Sequence, residues 1–348
     1  MRMEKTTHIQ APGFRNRLSA KSPITDRFGR TFNYLRLAVN EYCNLRCIYC
    51  MPEEGVPFKV KEKLLTTKEI FKLIRIMTDM GVSKIRFTGG EPLLRKDIPD
   101  LIHYASEIST VDSVNLTTNG LLLPAYLEGL EQAGLTGINI SLDTLNTEKF
   151  KAITRRNGLD KVIEGLDMAI KSNIGSIKVN VVAMRDFNDN EILDFAELTN
   201  ENDITVRFIE LMPFDAHQIW KTGKFYRAEQ IVNDLKSQIK ELNPVYGSST
   251  EHHIFQIQGY AGKVAVIPSY TRSLCGNCNR IRITADGKLL NCLYSQIETN
   301  IRDAIRNGES NHDIKNMIRN AMTEKLRDGW TAQHQGQDQR ESMTQIGG

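Results

Sequence analysis

Six cysteines are the residues of this chain whose type and spacing best suit metal chemistry. They form two groups of three with none left over: Cys43, Cys47 and Cys50, then Cys275, Cys278 and Cys292. A disulfide scaffold would leave one thiol unpaired within each group, whereas metal sites readily use three thiolates. A cubane iron–sulfur cluster has four irons, so three cysteines would leave one iron open to another ligand.

The first group has the spacing CX3CX2C and directly follows a predicted strand. A structural zinc site is the alternative, because CXXC pairs are common in such sites. Structural zinc usually has four protein ligands, and His8 and His103 are remote in sequence from this group. For the second group, a zinc ribbon completed by His252 or His253 is the corresponding alternative. The spacing favours an iron–sulfur cluster in both places.

A hairpin is predicted to bring the second group together, because Asp286-Gly287 stands between the CXXC pair and Cys292. A two-residue turn would set Cys292 opposite Ile281. A three-residue turn over 285–287 with a glycine bulge would set Cys292 opposite Arg280 instead. Either turn gathers the three thiolates.

Two arginines follow the CXXC pair on the same predicted strand. Arg280 and Arg282 alternate, so they share one face and point their planar guanidinium groups in one direction. A solvated hairpin face is the ordinary interpretation, but beside a cluster with an open iron the pattern favours phosphate recognition. For both arginines to face the same cavity as Cys292, Arg280 must be its cross-strand neighbour. That arrangement requires the three-residue turn, with Gly287 at positive φ.

Six strands are predicted between Thr31 and Pro213, and helices alternate with them. The strands are Phe32–Val39, Lys84–Thr88, Val114–Thr117, Gly137–Leu142, Ile177–Ala183 and Val206–Leu211. Thr66–Met80 and Leu159–Ser172 carry apolar residues at helical spacing, and Thr66 forms a capping box with Glu69. The repetition predicts an α/β fold built as a partial (β/α)6 TIM-like barrel, with a doubly wound open sheet as the alternative.

Polar turns follow several of these strands, at the end where barrels place their chemistry. They are Gly89-Gly90-Glu91-Pro92, Thr117-Thr118-Asn119-Gly120, Ser141-Leu142-Asp143 and Met212-Pro213. Arg36 and Lys178 lie inside otherwise apolar strands, where a charge is costly unless it is paired or faces a polar cavity. The sequence therefore predicts a polar cavity within the barrel.

Beyond Pro213 the pattern predicts a smaller C-terminal α+β domain with antiparallel strands. A helix at Ala228–Ile239 and strands at His253–Gln258 and Lys263–Ile267 precede the cysteine hairpin. The predicted divisions are an N-terminal arm (1–30), the barrel (31–213), the C-terminal domain (214–330) and a polar tail (331–348).

Composition excludes some partners. The net charge is only +3, from 45 basic and 42 acidic residues, and no apolar run has the length of a membrane span. Neither a nucleic acid nor a membrane is therefore predicted as a partner. The first 30 residues lack the apolar core of a signal peptide, so a cytoplasmic protein is predicted.

The CX3CX2C motif, with Tyr49 before its last cysteine, resembles that of the radical S-adenosylmethionine enzymes. Further segments extend the likeness: IRFTGGEPLLR, LTTNG, ELMPF, LCGNCNRIRITADGKLLNCL and the terminal Gly347-Gly348. Together they resemble the GTP 3′,8-cyclases of molybdenum cofactor biosynthesis from Asp26 to Gly348. Residues 1–25 match nothing in that family, and Phe87 stands where the family often has a smaller aliphatic residue.

The resemblance implies two [4Fe–4S] clusters, one on each cysteine group. S-adenosylmethionine would bind the open iron of the first cluster and give a 5′-deoxyadenosyl radical after reduction. Its protein contacts would be Tyr49, Gly90, Ser141 and Met212. The guanine of GTP would meet the second cluster, and the radical would take hydrogen from C3′ of the ribose so that C3′ attacks C8. The GTP contacts would be Arg36, Arg86, Thr117, Lys178, Arg280, Ile281 and Arg282.

The resemblance also implies partners and a role for the tail. The tail, ending in Gly347 and Gly348, would enter the active site. An external electron donor and a downstream enzyme that converts the cyclised nucleotide would act with the chain, which would be a monomer or homodimer. A peptide-modifying radical enzyme and an iron–sulfur electron carrier are the alternatives. Arg280-Ile281-Arg282 and the Gly-Gly terminus argue against the first, and three-cysteine sites argue against the second.

Overall fold

A computed structural model describes residues 23–212, 223–246, 253–271, 275–334 and 342–347, so Pro213 and Gly348 lie outside the described residues. The strands in these ranges are β1 (Tyr34–Ala38), β2 (Lys84–Thr88), β3 (Ser113–Thr118), β4 (Gly137–Ser141), β5 (Ile177–Ala183), β6 (Ile204–Glu210), β7 (Leu242–Val245), β8 (His253–Ile257), β9 (Lys263–Ile267), β10 (Arg280–Ile283), β11 (Lys288–Leu290) and β12 (Glu298–Asn300). The helices are α1 (Thr67–Asp79), α2 (Ile98–Ser106), α3 (Leu123–Gln132), α4 (Thr147–Thr154), α5 (Leu159–Lys171), α6 (Ile192–Glu197), α7 (Ala228–Gln238), α8 (Ile301–Arg306), α9 (Asn311–Thr323) and α10 (Gly329–His334). None of the described helices is long and apolar enough to cross a membrane.

The first six strands form the predicted parallel sheet in the order of the sequence. β1 to β6 are neighbours in succession, and each pairs with the next in parallel. A doubly wound sheet would reverse its strand order partway. The sequential order therefore confirms the partial barrel and excludes the alternative.

Helix α1 shows how the sequence fixes one of the outer helices. The side chain of Thr66 accepts a hydrogen bond from the backbone N–H of Glu69, and the Glu69 carboxylate accepts one from the N–H of Thr66. This capping box is the predicted one. The apolar face, including Leu73 and Met77, is buried in the main core, and Gly81 follows the helix at a φ of +94°. Gly81 can adopt this conformation because it has no Cβ.

The antiparallel strands predicted for the C-terminal domain are present, but they join the sheet of the barrel through two parallel pairings that the sequence did not predict. β9 pairs in parallel with β6, and β10 pairs in parallel with β1, so both edges of the barrel sheet are extended by later strands. On their other side, β9 and β10 pair with antiparallel strands, which gives the ladders β7–β8–β9 and β10–β11–β12. The apolar run of β9 is typical of a strand buried in a parallel sheet. Such a run does not reveal its pairing partner.

Parts of the chain end are packed, contrary to the prediction of a polar tail. The last residues of α10 lie within 331–348, and Ser342, Thr344 and Ile346 are buried. Polar composition was misleading because two apolar side chains, Met343 and Ile346, pack in a small core cluster with Leu290 and Tyr294. The buried hydroxyl of Ser342 accepts a hydrogen bond from the N–H of Thr344, so its hydrogen-bonding requirement is met.

Candidate active site

One cavity of about 400 Å³ gathers nearly all of the predicted site residues. Both cysteine groups line it, as do alternate residues of the parallel strands. The predicted ligand contacts among the lining residues are Arg36, Tyr49, Arg86, Gly90, Thr117, Ser141, Lys178, Met212, Arg280 and Arg282. Ile281 is different, because its side chain is fully buried in the main hydrophobic core. Any contact that Ile281 makes in the cavity would come from its backbone.

The Gly-Gly-Glu-Pro turn after β2 holds the loop that carries the first cysteines. Gly90 N–H donates to the carbonyl oxygen of Asn40 at 3.0 Å, and Glu91 N–H donates to that of Tyr42 at 2.7 Å. A Cβ on Gly90 would lie 2.3 Å from the Tyr42 carbonyl oxygen. Only glycine therefore allows this approach of the two backbones.

Glu91 joins this turn to the end of β3. Its fully buried carboxylate accepts hydrogen bonds from the N–H of Leu93, the hydroxyl of Thr118 and the N–H of Asn119, at 2.7–3.0 Å. Burial raises the pKa of Glu91 to about 7. With its oxygens used in this way, Glu91 serves to fix the rim of the cavity, which is the turn-forming role that its position predicts.

The first cysteine group is half-buried, and its charged neighbours are two carboxylates and the guanidinium of Arg46. Burial raises the pKa of Cys43 to about 11 and that of Cys50 to about 12, and it raises the pKa of Cys47 well above the ordinary value. The nearby carboxylates of Glu91 and Asp143 act in the same direction. Thiolates are costly in such surroundings unless a metal neutralises them.

No three His, Cys, Asp or Glu side chains in the described part of the chain are placed to share a single metal ion. A [4Fe–4S] cluster does not need that convergence, because each cysteine binds a different iron. The three half-buried cysteines of the first group all line the same cavity, and this arrangement suits such a cluster.

The second cysteine group has cationic neighbours. Burial raises the pKa of Cys278, but Lys325 and Arg280 outweigh it and hold that pKa below the ordinary value. Burial raises the pKa of Cys275. The two groups therefore differ in electrostatic surroundings, although both line one cavity.

The hairpin register agrees with the prediction of a three-residue turn. Arg282 is paired with Leu290, and the N–H of Thr284 donates to the carbonyl oxygen of Lys288 at 2.9 Å. The loop is thus 285–287, and Gly287 has a φ of +77°. Continued by two residues, this register sets Cys292 opposite Arg280. Both arginines line the cavity with Cys292, as the three-residue turn predicts.

Three arginines lie side by side across neighbouring strands. Arg36 of β1 is in register with Arg282 of β10 on one side and with Arg86 of β2 on the other. The Nε atoms of Arg36 and Arg280 are buried and have no hydrogen-bond partner among the described residues. Burial and the charge of Arg36 lower the pKa of Arg280 to about 10. Guanidinium groups that are crowded in this way, with the Nε atoms of Arg36 and Arg280 unbonded, suit a polyanionic ligand.

The charges of the cavity wall are strongly unbalanced. The cations are Arg36, Lys84, Arg86, Lys178, Arg207, Arg280, Arg282 and Lys325. The carboxylates of the wall are Asp143 and Glu210. Asp143 accepts hydrogen bonds from the Tyr49 hydroxyl at 2.7 Å and the Val182 N–H at 2.8 Å, so it is committed to the rim near the first cysteines. Burial raises the pKa of Asp143 to about 6.

Tyr34 is one of the cavity residues that the sequence did not single out. Its hydroxyl accepts a hydrogen bond from Nε of Arg86, and its ring lies 5.0 Å from the Lys84 ammonium. Burial raises the pKa of Tyr34, but Arg86 and Arg36 outweigh it and bring the value to about 7. A signal was available, because Tyr34 and Lys84 each stand two residues before a predicted site residue, on the same strand face.

Other missed residues had weaker signals. Arg207 donates to Oδ1 of Asn180 at 2.9 and 2.6 Å, and both line the cavity from predicted strands. Their inward alternation in β5 and β6 could have been noticed. Lys325 follows α9, and nothing in its local sequence connects it to the cysteines.

The chain end reaches the cavity rim. The Thr88 hydroxyl donates to the carbonyl oxygen of Gly347 at 2.6 Å, and the N–H of Met343 donates to that of Cys50 at 3.2 Å. Gly347 has a φ of +77°, and a Cβ there would lie 3.0 Å from Cβ of Ala38. Met343 and Thr344 line the cavity itself.

Comparisons with known proteins agree with this arrangement. Residues 37–199 match the radical SAM superfamily, and residues 204–329 match the family described as Molybdenum Cofactor Synthesis C. The GTP 3′,8-cyclase of Chlorobaculum tepidum is 45% identical over 334 residues, which cover 96% of this chain and 100% of that protein. Molybdenum cofactor biosynthesis protein 1 of Homo sapiens is 44% identical over 305 residues, or 87% of this chain, which spans 48% of that longer protein.

Two solved structures resemble the fold. SuiB of Streptococcus suis gives a TM-score of 0.55 at 15% identity, covering 78% of this chain and 64% of that one. The structure titled native anSMEcpe with bound AdoMet gives 0.56 at 14% identity, covering 86% of this chain and 82% of that one. At these identities the likeness concerns the fold alone.

Proposed function

The chain belongs to the GTP 3′,8-cyclase family within the radical SAM superfamily, and we propose that it converts GTP to (8S)-3′,8-cyclo-7,8-dihydroguanosine 5′-triphosphate. This is the first step of molybdenum cofactor biosynthesis. One observation carries the proposal: a single cavity holds two cysteine triads and a surplus of cations. A triphosphate with its ribose and base between two open-iron clusters is the ligand that this combination suits.

In this proposal Cys43, Cys47 and Cys50 hold the first [4Fe–4S] cluster. When bound there, S-adenosylmethionine and the cluster supply a 5′-deoxyadenosyl radical on reduction. The protein binds that cofactor through Tyr49, Gly90, Ser141 and Met212, which line the cavity around the cysteine loop. Gly90 offers its carbonyl oxygen, because its N–H is already bonded to Asn40.

The second cluster would be held by Cys275, Cys278 and Cys292, and the guanine would bind on that side. Arg280 and Arg282 extend from the same hairpin, and the backbone of Ile281 lies between them. The rest of the nucleotide, including its negatively charged phosphates, would be bound by Arg36, Arg86, Lys178 and the hydroxyl of Thr117. Arg86 is already oriented by Tyr34 and Thr117, so part of the site is organised before the ligand binds.

The work of the protein in the reaction is to hold C3′ of the ribose near the radical and C8 of guanine near C3′. Fixed arginine contacts on both ends of the nucleotide limit its rotation. Gly347, bonded to Thr88, and Met343, bonded to Cys50, would close the rim and exclude water. An external electron donor and an enzyme that takes up the cyclised product would complete the sequence, with the chain acting as a monomer or homodimer.

The experiment is an anaerobic incubation of the reconstituted protein with GTP, S-adenosylmethionine and a reductant, followed by mass analysis of the nucleotide. We expect 5′-deoxyadenosine and an isomer of GTP that carries the new C3′–C8 bond. Cleavage of S-adenosylmethionine with GTP recovered unchanged would instead favour a radical enzyme for another substrate, such as a peptide.

A further inference from the structure

Lys325 is a buried lysine beside the second cysteine group. It follows α9 in the chain and is 3% exposed. Its ammonium donates a hydrogen bond to the carbonyl oxygen of Asn291, the residue that precedes Cys292. It also lies 5.6 Å from the centre of the Phe32 ring. The side chain therefore enters the cavity wall where the cysteine hairpin returns.

The charge of Lys325 is only partly compensated by these contacts. Within the described ranges of the chain, no carboxylate lies within ion-pair distance of its ammonium. One carbonyl oxygen and one aromatic ring are weak partners for a buried ammonium. An anionic group in the adjoining part of the cavity would supply the missing compensation.

Lys325 lies next to the second cysteine group. Its ammonium is bound to the carbonyl oxygen of Asn291, one residue from Cys292, and Gly329, four residues beyond Lys325, donates its N–H to Sγ of Cys275 at 3.4 Å. The position of Lys325 therefore directs its charge to the second site.

We propose that Lys325 is the fixed cation of the second cluster: it compensates the thiolates of Cys275, Cys278 and Cys292 and raises the reduction potential of the cluster that they hold. The inference rests on the proposed two-cluster function. A nearby positive charge favours the reduced state, which carries one more negative charge, and net charge is one of the factors that set cluster potentials. Lys325 is a positioning residue in this account, since it acts through the cluster.

The test is a potentiometric titration of the reconstituted protein with dithionite, followed by electron paramagnetic resonance. Each cluster takes up one electron between its 2+ and 1+ states. We expect Lys325→Met to lower the potential of one cluster and to leave that of the other unchanged. Lys325→Arg keeps the charge and should restore the higher potential. Lys315→Met is the matched control, because Lys315 lies on α9 and pairs with Asp79 at the surface.

The outcomes separate this inference from the proposed function. A wild-type protein that binds a single cluster would refute the two-cluster function before any variant is made. If Lys325→Met holds two clusters with unchanged potentials, the role of Lys325 is overturned and the two-cluster function stands. The same conclusion follows if only the affinity for GTP changes. Lys325→Met could also lose the second cluster while circular dichroism shows intact folding. In that case, about eight irons per chain in Lys325→Arg would support the role of the positive charge. Loss of the second cluster in both variants would overturn that role.

Discussion

Arg30 and Cys275, which are 245 positions apart in the sequence, are joined by a hydrogen bond from Nη1 of the arginine to the carbonyl oxygen of the cysteine at 2.9 Å. The same guanidinium donates to the carbonyl oxygens of Leu326 and Arg327, at 2.7 and 2.8 Å. Its Nε is paired with the buried carboxylate of Asp26 at 2.6 Å. The Asp26–Arg30 segment thus ties the start of the barrel to the second cysteine group.

We predict that Arg30→Met weakens the second cluster site more than the first. Removing one partner of a buried ion pair costs about 3–5 kcal/mol, and three carbonyl groups lose their donor as well. Iron content after reconstitution should fall from about eight toward four per chain. The control is Arg27→Met, since Arg27 is exposed. Equal iron content in both variants would contradict the role given to Arg30.

Arg30 also shows the limit of sequence reasoning. The arginines at 36, 280 and 282 could be assigned to the cavity because strand alternation fixes the face on which they lie. Arg30 and Lys325 contact the second cysteine group only because distant segments of the chain meet in the fold. Local periodicity in the sequence does not predict contacts of this kind. The parallel pairing of β9 with β6 was missed for the same reason.

The two cysteine groups should have separable functions. Cys47→Ala removes a ligand of the proposed first cluster, and we predict that it abolishes cleavage of S-adenosylmethionine. Cys278→Ala should spare some cleavage but end cyclisation of GTP, because the guanine loses its binding site. Chromatographic measurement of 5′-deoxyadenosine and of the nucleotide product distinguishes the two. Equal loss of both activities in both folded variants would contradict the division.

GTP binding should depend on the ionisation of Tyr34. The pKa of Tyr34 is about 7, below the ordinary tyrosine value, so the phenol loses its proton as pH rises through 7. The phenolate then neutralises part of the charge of Arg86 and repels the triphosphate. Affinity for GTP should fall above pH 7, by up to about tenfold per pH unit. In Tyr34→Phe this loss of GTP affinity above pH 7 should be absent. Identical pH profiles of the GTP dissociation constant in the wild-type protein and in Tyr34→Phe would disprove the role of Tyr34.

The chain end should matter for turnover more than for cluster binding. Gly347→Ala would force an unfavourable φ and bring a Cβ to 3.0 Å from Cβ of Ala38. Displacement of the tail should lower kcat about tenfold or more while iron content stays the same. Deletion of Gly347 and Gly348 should have the same effect. Gly308→Ala is the control, because Gly308 has a φ of +79° but open space around it. Full turnover in the deletion variant would show the tail to be dispensable.

The central claim is that this cavity directs a radical to C3′ of GTP and joins C3′ to C8. The most direct measurement uses GTP carrying deuterium at C3′, incubated anaerobically with the reconstituted protein, S-adenosylmethionine and a reductant. The account predicts deuterium in the 5′-deoxyadenosine and a cyclised nucleotide that has lost it from C3′. Formation of 5′-deoxyadenosine without deuterium, with the labelled GTP recovered intact, would contradict the account.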